Sequence, residues 1–313
     1  LRGLRLTRII ARNRRQTGAP LNKSPHMGVP YRGNRPAPTI CNGAQMKARR
    51  VTGFSRLAAT LLCCAAPVAA ASAADRIALK FDVIGPLGMR VLEMHSLLEE
   101  NPGRYAVSVD YATTGLAGLV IDQRTYAVAH GRLIPGSASP VSFRNQTRRN
   151  GVERNSQVSY SADGSVQGSS TPPPQTVVAP EAARGTVDNL SAYLRLERQL
   201  ATKGTCAMTV PVFDGRHRYD LVFTDGGRQE LTPQGGQNFE GAATACKMNR
   251  YNRSVDDSEK DEGAQSGTIW YARLISGSDM MFPVRMKLST SIGDVDAYLA
   301  ELQSNTVNLK LRN

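Results

Sequence analysis

The stretch DRIALKFDVI, residues 75–84, shows the pattern that decides the fold. Every second side chain in it is large and apolar, namely Ile77, Leu79, Phe81 and Val83. Successive side chains of a strand point to opposite faces of a sheet, so a period of two predicts a strand with one buried face. The same alternation returns in later segments, which predicts a mainly β protein.

Short groups of turn-forming residues separate the predicted strands. Residues 85–88 and 101–103 contain Gly and Pro, and the pair Asn150 and Gly151 is typical of tight hairpins because both residues tolerate a positive φ. Strands joined by such short turns pair in antiparallel fashion. The sequence therefore predicts a curved antiparallel sheet or a half-open β-barrel of roughly ten to twelve strands.

One internal segment has the period of a helix. Asp188 is a good N-cap residue, and apolar side chains recur after it at helical spacing: Leu190, Tyr193, Leu194 and Leu200. We expect this face to pack on the sheet, with Arg195, Glu197 and Arg198 projecting elsewhere. The pattern predicts one internal helix that covers a side or an end of the sheet.

Two other segments depart from the strand pattern. Residues 164–185 are rich in Pro, Ser and Gly, and they include Pro172, Pro173 and Pro174, so we expect an extended connector. Residues 292–302 favour a short C-terminal helix.

Residues 46–73 have the order of a secretory signal peptide. A basic start that includes Arg49 and Arg50 precedes an apolar run over residues 57–71, and small residues follow at Ala71, Ser72 and Ala73. Signal peptidase and an export machinery are therefore expected partners during secretion. The single Arg pair leaves general secretion and twin-arginine export both open.

Cleavage between Ala73 and Ala74 would leave residues 74–313 as a single mature β domain in the periplasm. Residues 1–45 are rich in Arg, Asn, Pro and Gly and lack apolar periodicity, so we expect them to be disordered. Because a complete signal peptide starts at Met46, we interpret them as the product of a gene start assigned too far upstream. A basic N-terminal arm is the alternative.

The positive charge of the chain precedes the mature domain. The chain has 39 Lys and Arg against 26 Asp and Glu, a net charge of +13. Residues 1–73 hold 13 of the basic residues and none of the acidic ones, and 39 − 13 leaves 26 bases against 26 acids. A formally neutral mature domain argues against nucleic acid as a partner.

Two cysteines remain after cleavage, Cys206 and Cys246. Paired cysteines are typical of exported domains, and a disulfide closing a loop of this length contributes about 4 kcal/mol in the chain-entropy model. Two buried free thiols are the alternative. Zinc is disfavoured because the spacing of its usual ligands is missing.

The densest polar group in the mature chain is a run of five residues at the start of a predicted strand: Arg216, His217, Arg218, Tyr219 and Asp220. Two Arg on one face, with an Asp between them and the next strand, are a candidate clamp for a carboxylate or phosphate. The alternative is a structural Arg–Asp ladder facing water, with His217 and Tyr219 half-buried. Both interpretations stay open at this point.

No recognisable catalytic, metal-binding or cofactor-binding motif is present. The sequence lacks a Gly-x-Ser-x-Gly nucleophile elbow, a phosphate loop and a dinucleotide fingerprint. His95, His130 and His217 lie on separate predicted strands without the spacing of metal ligands. We therefore assign no catalytic residue, metal or cofactor, although distant residues can still assemble an active site.

Several motifs resemble those of one protein family: DNLS at 188–191, Cys206, VFDGRHRYDL at 212–221, Cys246, FPVRM at 282–286, and Gly293-Asp294. Over about residues 77–302 the chain resembles the exported proteobacterial family of domain of unknown function 3108. The resemblance implies a β protein of the cell envelope and implies no reaction and no catalytic residues. It also invites comparison with exported half-barrels that hold apolar groups, which is an analogy of fold.

Taken together, these features predict a non-enzymatic periplasmic protein. We expect it to bind an apolar ligand, a lipid or an envelope protein and to support envelope homeostasis. One alternative is an envelope hydrolase or transferase that uses dispersed acids and His217. Another is a structural partner-binding module with Pro172, Pro173 and Pro174 in an exposed arm.

Overall fold

The computed structural model describes residues 75–253, 263–290 and 293–312. The predictions made for residues 1–45, for the signal peptide at 46–73 and for cleavage at Ala73 and Ala74 lie outside these ranges. Within the ranges, no helix combines the length and the apolar character needed to cross a membrane.

The described residues form fourteen strands and three helices, with a single 3-10 turn at Pro86–Gly88. The strands are β1 Asp75–Ile84, β2 Arg90–Asn101, β3 Arg104–Thr113, β4 Gln123–Ile134, β5 Ser137–Arg149, β6 Val152–Tyr160, β7 Val166–Thr171, β8 Met208–Phe213, β9 Arg218–Leu231, β10 Gly241–Asn252, β11 Ala264–Ala272, β12 Phe282–Thr290, β13 Gly293–Ser304 and β14 Asn308–Lys310. The helices are α1 Ala117–Val120, α2 Pro180–Ala183 and α3 Asn189–Lys203.

All fourteen strands belong to one antiparallel sheet. Its order is β7-β6-β5-β4-β3-β2-β1-β13-β12-β11-β10-β9-β8, and β14 pairs with β13. Each strand pairs with the next one in sequence except β7 and β8, which form the two edges, and the sheet is joined at its centre by the pairing of β1 with β13. The predicted mainly β, antiparallel architecture is confirmed, with more strands than the expected ten to twelve.

The predicted C-terminal helix is wrong. The described part of that segment is strand β13, which pairs with β1 on one side and β12 on the other. Four successive residues of β13 are buried: Ala297, Tyr298, Leu299 and Ala300. Burial on both faces removes the alternation that identifies a strand, and the remaining apolar run is easily mistaken for a helix.

The segment at 164–185 contains more structure than a connector. It includes strand β7, which pairs with β6, and the single helical turn α2. The residues of β7 are mostly small and polar, because the strand is at the edge of the sheet and much of it is exposed. Because its residues do not alternate between apolar and polar, the sequence pattern did not predict this strand.

Helix α3 begins where the sequence predicted. The Asp188 side chain accepts hydrogen bonds from the Ser191 N–H at 2.8 Å and from the Ser191 hydroxyl at 2.6 Å. The first of these bonds pairs an N–H group that has no partner within the helix. The helix ends at Gly204, whose φ of 70° is the left-handed conformation of a C-terminal cap. Its apolar residues pack into both hydrophobic clusters of the sheet, so α3 is an internal helix.

The two edges of the sheet meet along a seam that we define by Gly168 of β7, Phe213 of β8 and the segment around Val187. Val187 pairs with the free edge of β8: its N–H donates to the Pro211 carbonyl, and its own carbonyl accepts from the Phe213 N–H, both at 2.9 Å. Gly168 lies against the Phe213 ring, and an added Cβ would be 2.3 Å from the ring. The sheet therefore curls until its edge strands are in contact.

Cys206 and Cys246 form a disulfide, as the sequence predicted. Both residues are fully buried in the cluster beneath the second half of α3. The bond connects the chain just after the helix to strand β10, and it thereby fixes the C-terminal end of α3 to the sheet.

Candidate functional site

An apolar cavity of about 280 Å³ lies between helix α3 and the concave face of the sheet. Its walls come from α3 and from the central strands β1, β2, β3, β11, β12 and β13. Nearly all of the lining side chains are aliphatic, aromatic or Met, and the polar exceptions are Ser96, Asn189 and Glu197 apart from the hydroxyls of Tyr193 and Tyr271. Such a space is the usual form of a small-molecule site.

Strand β1 supplies one wall with the alternating residues that first identified it. Ile77, Leu79, Phe81 and Val83 all line the cavity. Phe81 is only 1% exposed, whereas Ile77 and Leu79 are partly accessible. The face that the sequence predicted to be buried thus lines a space that side chains do not fill.

Helix α3 supplies the opposite wall through a stripe of residues at helical spacing: Leu190, Tyr193, Leu194 and Glu197. The expectation that Glu197 projects away from the apolar face is wrong. Position 197 continues the stripe one turn beyond Tyr193, and because α3 is internal, its faces are covered by protein. The chain therefore places a carboxyl group in an otherwise apolar wall.

The Glu197 carboxyl has an unusual environment. Burial among apolar side chains raises its pKa to about 8, Arg198 opposes this shift, and the negative charge of Glu100 adds to it. Within residues 75–253, 263–290 and 293–312, no group makes a hydrogen bond or a close ion pair with this carboxyl. The protonated, uncharged form therefore predominates near pH 7.

Arg198, the next residue of the helix, is 3% exposed and is also not where the sequence placed it. Its guanidinium pairs with Glu100 at the end of β2 and with Asp279, at 2.5 Å, in the segment before β12. The Met281 N–H also donates to the Glu197 carbonyl at 3.2 Å. Residues 273–281, which we call the end loop, are therefore tied to α3 at one end of the cavity.

A second space of about 300 Å³ lies at the same end of the barrel, and we call it the end depression. Ile77 and Met280 line both spaces, so these two side chains separate them. The wall of the end depression includes charged residues, namely Asp75, Arg76, Glu100 and Asp279, beside apolar ones such as Ile275. The end depression therefore places charged groups next to the apolar cavity.

Two larger depressions have walls of a different kind. One of about 580 Å³ is formed by polar residues along β3 to β6, including the exposed Arg124, Arg148 and Glu153. Another of about 550 Å³ lies at the seam, between β7 and the segment that contains Pro173 and Pro174. The wall of the first is polar, and that of the second mixes apolar side chains such as Phe213 with charged ones such as Glu181 and Arg184. The wall of the cavity under α3 is almost wholly apolar, and we take this cavity as the candidate site.

The predicted polar group at the start of β9 lies elsewhere and is engaged in internal contacts. Arg216 donates to the Pro172 carbonyl across the seam. The backbone N–H of His217 donates to Asp214 at 2.7 Å, and the His217 ring lies 3.7 Å from the same carboxylate. These two side chains therefore point to different partners.

The remaining members of that group pair with one another, with a residue of β10 and with the residue that follows β10. Asp220 accepts from Arg218 at 2.6 Å and from Arg253 at 2.8 Å. Tyr219 is 3% exposed, with the guanidinium of Arg250 3.4 Å from its ring centroid. These are the contacts of a structural ladder, and ligand binding by this segment stays a prediction.

The other two histidines are separate from the cavity. His95 is exposed and lies 3.3 Å from Glu93 and 3.5 Å from Asp110, while His130 is exposed on β4. Among the described residues, no three His, Cys, Asp or Glu side chains are grouped in a way that could hold a metal ion.

Comparison with known proteins gives a family and a related structure. The model of the family described as Protein of unknown function (DUF3108) matches residues 80–300. The crystal structure of a beta-barrel-like protein of domain of unknown function DUF1849 from Brucella abortus is similar at 12% sequence identity, over 74% of this chain and 99% of that chain, with a TM-score of 0.45. No curated protein matches the sequence.

Proposed function

This chain belongs to the DUF3108 family of proteins of unknown function, and we propose that it is a periplasmic protein that binds an apolar ligand in the cavity under α3 without catalysing a reaction. Its contribution to the cell is then the holding or transfer of an envelope-derived molecule in envelope homeostasis. The observation that carries the proposal is the unfilled apolar space in the core of the barrel.

Small barrels normally fill their interior with side chains, and those that leave a space use it for one small ligand. Here the space is bordered by side chains that remain partly accessible, such as Leu79, Met94 and Tyr193. Exposing apolar surface to water in the core costs about 25 cal/mol per Å², which a bound apolar ligand would recover. The cavity is therefore better explained by binding than by packing.

The proposed location is supported by the disulfide between Cys206 and Cys246, because such bonds persist in oxidising compartments. The signal sequence proposed at 46–73 is consistent with the same location. Peptide mass analysis of the protein recovered from the periplasm tests both, since an N-terminus at Ala74 is expected.

The binding proposal is tested with N-phenyl-1-naphthylamine, whose fluorescence rises in apolar surroundings. Ser96 is a small residue in the cavity wall, so Ser96→Phe should fill part of the space and reduce probe binding by about tenfold or more. Ser159→Phe, at an exposed position of β6, is the matched control and should bind as the wild type does. Native mass spectrometry should also show a co-purifying ligand that Ser96→Phe loses. Equal probe binding by all three proteins, with empty native spectra, would contradict the proposal.

A further inference from the structure

We propose that the ligand is a single-chain alkyl amine, with its chain in the apolar cavity and its ammonium group beside Glu197, facing the end depression. This inference rests on the binding function proposed above and adds the chemical class of the ligand.

The size and shape of the cavity favour one chain. An apolar cavity of about 150 Å³ holds a benzene ring. A volume of about 280 Å³ therefore accommodates one unbranched alkyl chain of moderate length and excludes a lipid with two long chains. Met94, Met280 and Met286 line the cavity, and the flexible Met side chain adapts to chains of different conformation.

The charges at the end of the cavity favour a cation. Acidic groups come from four elements that meet there: Glu197 on α3, Glu100 on β2, Asp75 on β1 and Asp279 on the end loop. The basic groups are Arg198, which already pairs with Glu100 and Asp279, Arg76, which lies 3.9 Å from Glu99, and Arg273 of the end loop, which donates to the Ser278 and Ala201 carbonyls. Each of these bases already has a partner, so an ammonium group can pair with Glu197, whereas a carboxylate or phosphate there would find no unpaired base among them.

Glu197 is the group that an ammonium would contact. Among the described residues its carboxyl has no hydrogen-bond partner, it is part of the wall of the apolar cavity, and the next residue, Arg198, reaches Glu100 and Asp279 of the end depression. A carboxylate in an apolar wall without a partner is unfavourable, and a cation supplies both charge compensation and hydrogen-bond donors. Tyr193 and Tyr271 line the same part of the cavity, and burial raises the pKa of both phenols, so they stay uncharged.

The proposed binding step releases a proton. The free protein carries a protonated Glu197, because its pKa is raised to about 8, and an alkyl amine is an ammonium ion at neutral pH. When the ammonium binds, the O–H bond of Glu197 breaks, the carboxylate pairs with the ammonium, and the proton passes to the solvent. An uncharged ligand of the same length leaves that proton in place.

The test is calorimetric titration of the whole protein with decylammonium, decanol and decanoate at pH 7, in two buffers that differ in ionisation enthalpy. Decylammonium should bind about tenfold or more tightly than decanoate, because the charges of the site discriminate between them. Its binding should release about one proton, and that of decanol none. Decanoate binding as tightly as decylammonium, or no proton release with decylammonium, would overturn the inference.

Two variants test whether decylammonium binding and the release of a proton depend on Glu197. Glu197→Gln should weaken decylammonium binding about tenfold and abolish the proton release. Glu240→Gln, at an exposed position, is the matched control and should behave as the wild type does. If decanol binds in a Ser96→Phe-sensitive way but the amine has no preference, the binding function stands and the amine inference fails. If none of the three ligands binds, both fail.

Discussion

Glu197 shows how one residue can set the pH dependence of the protein. Its pKa is raised from about 4.5 to about 8, so the folded state holds the proton more tightly than the unfolded state does. The contribution to stability is therefore fully present below about pH 4.5 and is lost as the pH rises through about 8. Above that pH, folding requires a negative charge in an apolar wall.

Glu197→Gln should remove this loss of stability at high pH. The variant should gain about 2 kcal/mol in the free energy of unfolding relative to wild type between pH 5 and pH 9, and the partial accessibility of the carboxyl keeps the gain from being larger. Urea unfolding at both pH values measures it, with Glu240→Gln as control. If the free energy of unfolding changed equally with pH in wild type and Glu197→Gln, this carboxyl would have an ordinary pKa.

Residue patterns predicted much of the local structure and missed this carboxyl. The alternation in β1 and the cap at Asp188 depend on neighbouring residues alone, and both are confirmed. The turn at Asn150 and Gly151 is confirmed as well, with φ values of 47° and 80°. Glu197 was assigned outward because a charged residue usually marks the solvent face of a helix, and only the tertiary structure shows that α3 is internal.

At the scale of elements, helix α3 is held in the barrel by polar contacts on several sides. Ser191 shares a 2.6 Å hydrogen bond with Tyr105 of β3, and Arg195 donates to the Ala138 carbonyl of β5 at 2.7 Å. Arg198 reaches Glu100 and Asp279 in the wall of the end depression. These contacts fix the position of the helix that forms one wall of the cavity.

Arg198→Met should lower the free energy of unfolding by about 3 kcal/mol, because it leaves the Glu100 carboxylate poorly solvated and without its partner. Adding Glu100→Gln should restore part of this loss. Chemical denaturation of the single and double variants measures both values. Lys203→Met, at an exposed position of the same helix, is the control; equal stability of Arg198→Met and Lys203→Met would show that the buried pair contributes nothing.

The strand at 293–304 shows the limit of element prediction. Its apolar run is buried on both faces, so its period carries no information about which kind of element it forms. Its pairing with β1 at the other end of the domain decides the structure, and no local pattern reports that pairing.

At the scale of the whole molecule, the closure of the sheet depends on a few close contacts at the seam. Gly168 lies so near the Phe213 ring and Gly215 that an added Cβ would be 2.3 Å and 3.1 Å from them. The two edge strands can approach only because position 168 has no side chain.

Gly168→Ala should therefore lower the free energy of unfolding by about 2 kcal/mol and loosen the seam. Thermal unfolding measures the first effect, and faster amide exchange in β7 and around Val187 measures the second. Gly118→Ala is the control, since the nearest atom to its added Cβ lies at 3.8 Å. A Gly168→Ala protein with normal exchange would mean that the seam does not hold the barrel together.

The pairing of β1 with β13 also determines at which point in folding the cavity is complete. Ile77 pairs with Ser304, so the two central strands of the sheet are more than 200 residues apart in the chain. Contacts between such distant segments form late and slowly in folding. The cavity needs walls from both ends of the domain, so an incompletely synthesised chain has no binding site. The proposed ligand would therefore bind and stabilise only molecules in which β13 is in place.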